Sequence, residues 1–109
     1  MPRERGWPLR DDLMRGIDPA IVRIRVDAAG GIHLNGKPVG ATELARHVRA
    51  IDRQSPPPAL RLDHDREAPC AALEAVRRTL DALPMCRAGR CAERTAWERT
   101  YGPPVPPPG

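Results

Sequence analysis

Residues 21–26, IVRIRV, alternate strictly, with Val22, Ile24 and Val26 on one side and Arg23 and Arg25 on the other. That is the period of a strand with one buried face and one wet face. Ala28-Ala29-Gly30-Gly31 supplies a loop, Ile32 and Leu34 resume the alternation, and Asn35-Gly36 marks a second tight turn. Pro38 lacks a backbone donor, so the piece after that turn is short or lies at a sheet edge. A chain that opens this way builds a sheet, and its later segments must cover the apolar side.

Two amphipathic helices are predicted to do so. Thr42 reads as an N-cap, and Leu44, His47, Val48 and Ile51 recur at spacings of three and four, which predicts a helix over 42–54. Glu43, Arg46, Arg49 and Arg53 then face water, and the Pro56-Pro57-Pro58 run ends the helix. Leu60 and Leu62 predict a short strand with Arg61 and Asp63 on its other side. Pro69 suits the first turn of a second helix over 69–83, whose stripe is Ala72, Leu73, Val76, Leu80 and Leu83 and which Pro84 stops. A last strand is sought in 86–95, CRAGRCAERT, which alternates weakly and lacks β-branched residues apart from its final threonine. The expected fold is α+β: a small mixed β-sheet with two amphipathic helices on one face, in the order β-β-α-β-α-β. Residues 21–95 are expected to form the domain, 1–20 an irregular lead-in, and 96–109 a Pro-rich tail, extended or disordered from Gly102 onward.

The 109 residues suit a single domain, and no aromatic residue occurs between Ile21 and Leu83. The core is therefore expected to be aliphatic and its stability modest, so that association with another chain would help. The net charge of +4 comes almost wholly from arginine, with acidic residues interspersed in every segment. A nucleic-acid surface gathers its basic groups on one face and adds stacking aromatics, so nucleic acid is not an expected partner. No window approaches the ~18 apolar residues of a membrane span, and the first twenty residues lack the apolar run of a secretory signal.

The three cysteines make neither a disulfide framework nor a four-ligand zinc site. Cys86 and Cys91 are close enough to pair across a turn in an oxidising compartment; the alternative is two unpaired thiols near a helix end. Asp63-His64-Asp65 is the most chemical-looking cluster, but neighbours on a strand point to opposite faces, and a solvated turn before a helix explains it better. His33, His47 and His64 show no metal-ligand spacing, and Cys70 is read as a packing residue at a helix start. No phosphate loop or nucleophile triad is visible, so no catalytic residue, cofactor or metal is expected. Trp7, Trp97 and Tyr101 fall outside the patterned region, and either docking on the sheet or a partner surface fits them.

Three stretches, IRVDAAGGIHLNGKPV, ATELARHVRAI and LRLDHDREAPCAALEAVRRTLDAL, occur in an order that resembles the soluble domain of the ExbD/TolR family of biopolymer-transport proteins. The resemblance covers residues 21–83, with Asp65 and Pro69 at the family's aspartate and proline positions. It departs at Cys70, where relatives often carry an aromatic residue, and in 86–95, where their last strand is rich in Val and Ile. Family members also carry a membrane-embedded aspartate that couples proton flow; Asp11, Asp12 and Asp18 sit in polar sequence and do not take that role. The resemblance implies a non-enzymatic accessory of a proton-motive-force-linked transport complex at the inner membrane or periplasm. Its partners would be a second copy or a full-length relative, beside a proton-channel subunit. Contact is expected through a weakly guarded sheet edge and a polar sheet face bearing Arg23, Arg25, Arg61 and Asp65. The competing expectation is a small cytosolic thiol protein using Cys86 and Cys91.

Overall fold

The computed structural model describes residues 3–15 and 20–103. Their order is β1 (Ile21–Val26), β2 (Ile32–Leu34), β3 (Lys37–Val39), α1 (Ala41–Asp52), β4 (Ala59–His64), α2 (Cys70–Asp81), α3 (Pro84–Arg87), β5 (Cys91–Glu93) and α4 (Arg94–Tyr101). The strands form one mixed sheet in the order β3-β2-β1-β4-β5. β1–β2 and β2–β3 pair antiparallel, whereas β1–β4 and β4–β5 pair parallel. The fold is α+β, as the residue patterns imply.

The alternation in β1 does what its period requires. Val22, Ile24 and Val26 are buried while Arg23 and Arg25 are exposed. Leu60 and Leu62 of β4 lie beside Val22 and Ile24 in register and extend the same apolar face. Leu44 and Val48 of α1, with Leu73, Val76 and Leu80 of α2, close over it, and Ile32, Leu34 and Val39 pack at the margin. Asn35 and Gly36, both at positive φ, join β2 to β3 as the Asn-Gly turn requires.

Several boundaries differ from the sequence-based expectation. α1 begins at Ala41 with Gly40 as N-cap, not Thr42, because the Glu43 carboxylate reaches back to accept the Gly40 amide at 3.3 Å. α2 ends at Asp81, and Pro84 opens the four-residue α3 instead of merely ending a helix. The last strand shrinks to β5, and the boundary drawn at 95/96 falls inside a structured region, because α4 occupies 94–101. The expected Pro-rich stretch beyond Pro103 and the lead-in residues 16–19 lie outside the described residues.

α4 also changes the layering. It lies on the side of the sheet opposite α1 and α2, where Trp97 packs with Ala59 and Ala92 in a second core cluster. The half of the sheet formed by β4 and β5 is therefore covered on both faces, and the core is not purely aliphatic. Trp97 is 5% exposed, and its ring centroid lies 4.9 Å from that of Tyr101. The Tyr101 hydroxyl donates to the Arg10 carbonyl and accepts the Leu13 amide, which pins the lead-in to α4.

Cys86 and Cys91 form a disulfide that ties α3 to β5. Both residues are fully buried. A cross-link over so short a loop stabilises mainly by restricting the unfolded chain, by about 2 kcal/mol. Replacing both cysteines with Ala is expected to lower unfolding free energy by that amount in a denaturant titration. An unchanged midpoint would show that the bond contributes nothing.

Candidate interaction surface

With α4 over one half, the open part of the second sheet face lies over β1 and β2. Arg23 and Arg25 project from β1, and His33 stands beside Arg25 in register. Arg25 Nη1 lies 3.0 Å from each Asp65 carboxylate oxygen, and Asp65 Oδ2 also accepts the Ala28 amide at 3.2 Å. Asp65 therefore braces the β1–β2 loop while also holding the Arg25 guanidinium. Among the described residues the Arg23 side chain makes no ion pair, so it is the free cation of this face.

Arg61, expected on the same surface, is not available. It is 6% exposed, because α4 folds over it and its charge is met within the layer. Arg61 Nε donates to Asp63 at 2.9 Å, and Nη2 lies 3.6 Å from Glu98 of α4. Of the four residues singled out from the sequence, the structure brings Arg23, Arg25 and Asp65 together in the open and removes Arg61.

Asp27, just after β1, organises the adjoining loop. Its Oδ1 accepts the amides of Ala29 and Gly31, and His33 Nε2 donates to Oδ2 at 2.7 Å. The His33 bond first, and the Gly31 and Ala29 amides with it, hold the Asp27 carboxyl below its ordinary value against a smaller opposing effect of burial. A lowered carboxyl stabilises the fold fully above the ordinary aspartate range and loses that contribution as pH falls through the lowered value. Asp27→Asn is therefore expected to flatten the acid limb of stability below about pH 5 while changing its shape little near neutrality. Unfolding free energy followed against pH in both proteins checks this; parallel acid limbs would contradict it.

The other expected features separate. His64 Nδ1 donates to the Asp65 carbonyl at 2.9 Å, which makes it part of the turn before α2, apart from Asp63 on the opposite face. Cys70 is exposed at the start of α2, so it is not the packing residue its position implied. Among the described residues no group of three or more His, Cys, Asp or Glu is placed to hold a metal ion. No helix among them is long and apolar enough to cross a membrane.

The sheet edges are better guarded than the sequence implied. At the β3 edge, the Leu34–Lys37 pair flanking the two-residue turn bonds inward, so the backbone of Pro38 faces out and offers no N–H. At the β5 edge the lead-in runs alongside: Leu9 bridges Arg90, and the Arg10 amide donates to the Gly89 carbonyl at 2.9 Å. Further along, Thr95 donates through its amide and hydroxyl to Glu4, and Trp7 Nε1 donates to Asp81 at 2.9 Å. A partner strand therefore finds no ready edge at β3 or β5, and of the sheet itself the open face is what remains for contact.

Beneath the lead-in lies a group of charges that sequence reading missed. Arg77 of α2 and Glu93 of β5 are each 1% exposed and meet through two bonds of 2.9 and 2.8 Å. Arg77 Nη1 also donates to Glu74 at 2.6 Å, and the Arg5 amide donates to Glu93. Burial disfavours the charge on Arg77, but Glu93 and Glu74 together outweigh it and leave the guanidinium above its ordinary value. A readable signal existed, since residue 77 falls four after Leu73 and three before Leu80, inside the apolar stripe.

No protein-family model matches the chain, and no curated protein matches it.

Proposed function

We propose that this chain is a non-enzymatic interaction domain of an ExbD/TolR-like, proton-motive-force-linked transport complex. It would work by association with a second copy or a full-length relative, beside a proton-channel subunit. The observation that carries the reading is how the resembling residues 21–83 fall on the fold. They occupy the unbroken series β1, β2, β3, α1, β4, α2, with the LNGKPV segment forming the β2–β3 hairpin and Asp65 and Pro69 at the β4–α2 junction. The disulfide supports it further, because such bonds persist in oxidising compartments of the kind the family's soluble domain occupies. The thiol alternative loses support from the same bond: exchange needs an accessible sulfur, and Cys86 and Cys91 are both at 0% exposure.

On this reading the open sheet face meets the partner, with Arg23 as its unengaged cation. The test is retention of the proton-channel subunit and the full-length relative on a tagged copy of this chain after gentle detergent extraction. Both are expected to be retained, and Arg23→Glu is expected to weaken retention roughly tenfold. Loss of both partners under conditions that keep the channel and the full-length relative together would remove the reading.

A further inference from the structure

We infer that the groove between α1 and α2, on the opposite side of the sheet from Arg23, receives an acidic amphipathic helix of a partner protein. This does not depend on the transport reading. The two helices sit apart enough to leave a recess of about 350 Å³, lined by Ala45, Val48 and Arg49 on one wall and Thr79, Ala82 and Leu83 on the other. A smaller recess continues from Thr79 toward Ile32 and Ala41, so the depression runs along the helix pair. Val48 and Leu83 make its floor apolar, and apart from Arg49 its walls carry the small side chains of Ala45, Thr79 and Ala82, which lets a helix backbone approach closely.

The rim decides what kind of helix fits. Arg49 lines the groove itself, and Arg46 and the C-cap Arg53 line with it an adjoining depression on the outer side of α1; the three stand at i, i+3 and i+7, a ladder spanning about 10 Å. Arg78 stands exposed on α2, one residue before Thr79. Among the described residues these four arginines form no ion pair. The carboxylates of the same two helices are engaged elsewhere: Glu43 by the Gly40 amide, Asp52 by the Met85 amide, Glu74 by Arg77 and Arg5, Asp81 by Arg5 and Trp7. The groove is thus an apolar trough bordered by arginines that no carboxylate of the two helices contacts.

A helix lying along α1 presents side chains at the same three- and four-residue spacing. Glu or Asp at i, i+3 and i+7 meets the ladder while an adjacent Ala/Leu seam enters the trough. A lipid surface fits less well, because the apolar groups are recessed whereas interfacial anchors protrude. A phosphate backbone would meet the arginines but leave the trough unfilled.

The test titrates the full chain with a synthetic helical peptide of about four turns that carries an Ala/Leu seam and a Glu flank. Its twin has Lys at every Glu position. Anionic phosphatidylcholine/phosphatidylglycerol vesicles and a single-stranded oligonucleotide serve as rivals. The acidic peptide is expected to bind with amide shift changes confined to α1 and α2, and to weaken as salt is raised. Joint replacement R46E/R49E/R53E is expected to weaken it roughly tenfold, at unchanged circular dichroism because these side chains are exposed. Ala45→Phe, which fills the trough and keeps the arginines, is expected to do the same; should it fail to fold, the arginine variant decides. Equal binding of the Lys twin, no binding of the acidic peptide, indifference to the arginine replacements, or binding of vesicles or oligonucleotide in the peptide's place would each overturn the inference.

Discussion

Arg77→Met is expected to lower the unfolding free energy by about 3–5 kcal/mol, a large part of what a domain this size possesses. The cause is what is left behind. Without the guanidinium, Glu93 stays 1% exposed with its carboxylate facing neither water nor a counter-charge, since its other partner is only the Arg5 amide. The chain must then protonate Glu93, admit water between α2 and β5, or release the lead-in. A drop in thermal midpoint of more than about 12 °C should accompany the change. Arg77→Met combined with Glu93→Leu is expected to recover most of the loss, because a buried pair and its apolar replacement are often nearly equal in stability. Should the single variant unfold at the parent's midpoint, the pair would have no role in holding β5.

Trp97→Ala is expected to cost about 3–5 kcal/mol, comparable with other large-to-small changes in protein cores. Trp97 is the largest of the three buried residues of the second cluster; Ala59 and Ala92 are too small to take its place, and Leu9, Leu13, Met14, Ile21 and Tyr101 pack only partly buried around it. Loss of the indole should loosen α4 from the sheet and expose Arg61, whose contact to Glu98 depends on that helix. Limited proteolysis should then cut first within 94–101, while amides of β1 and β4 stay protected from exchange. Cleavage spread evenly along the chain would mean that α4 is not a separable layer.

How much of the fold was legible in the sequence depended on how strongly one face of each element outweighed the other. In β1 the contrast is complete, apolar against arginine, and the observed burial matches it residue by residue. The Asn35-Gly36 turn and the edge position of Pro38 were equally readable, because positive φ and a missing donor leave few alternatives. β5 was hard to read for a physical reason. All three of its residues are buried, between the disulfide and Arg77 on one side and α4 on the other, so alternation disappears. Glu93 also reads as a surface residue until Arg77 is placed beside it. α4 was missed because Arg94, Thr95, Glu98, Arg99 and Thr100 outnumber Trp97 and the Ala96 and Tyr101 that pack beside it, and so short an apolar face is hard to read from local pattern. Of the candidate surface, Arg23 and Arg25 could be named from strand period and Asp65 only from the family resemblance, whereas the burial of Arg61 depends on that unread helix.

The open sheet face as a docking surface is tested most directly by site-specific photocrosslinking from position 23 in cells that also carry the proton-channel subunit and a full-length ExbD/TolR relative. A photoreactive residue there should give a discrete adduct with one of those two proteins or with a second copy of this chain, and the same group at position 99, on the exposed side of α4, should not. Adducts of equal strength from both positions, or none from position 23, would contradict it.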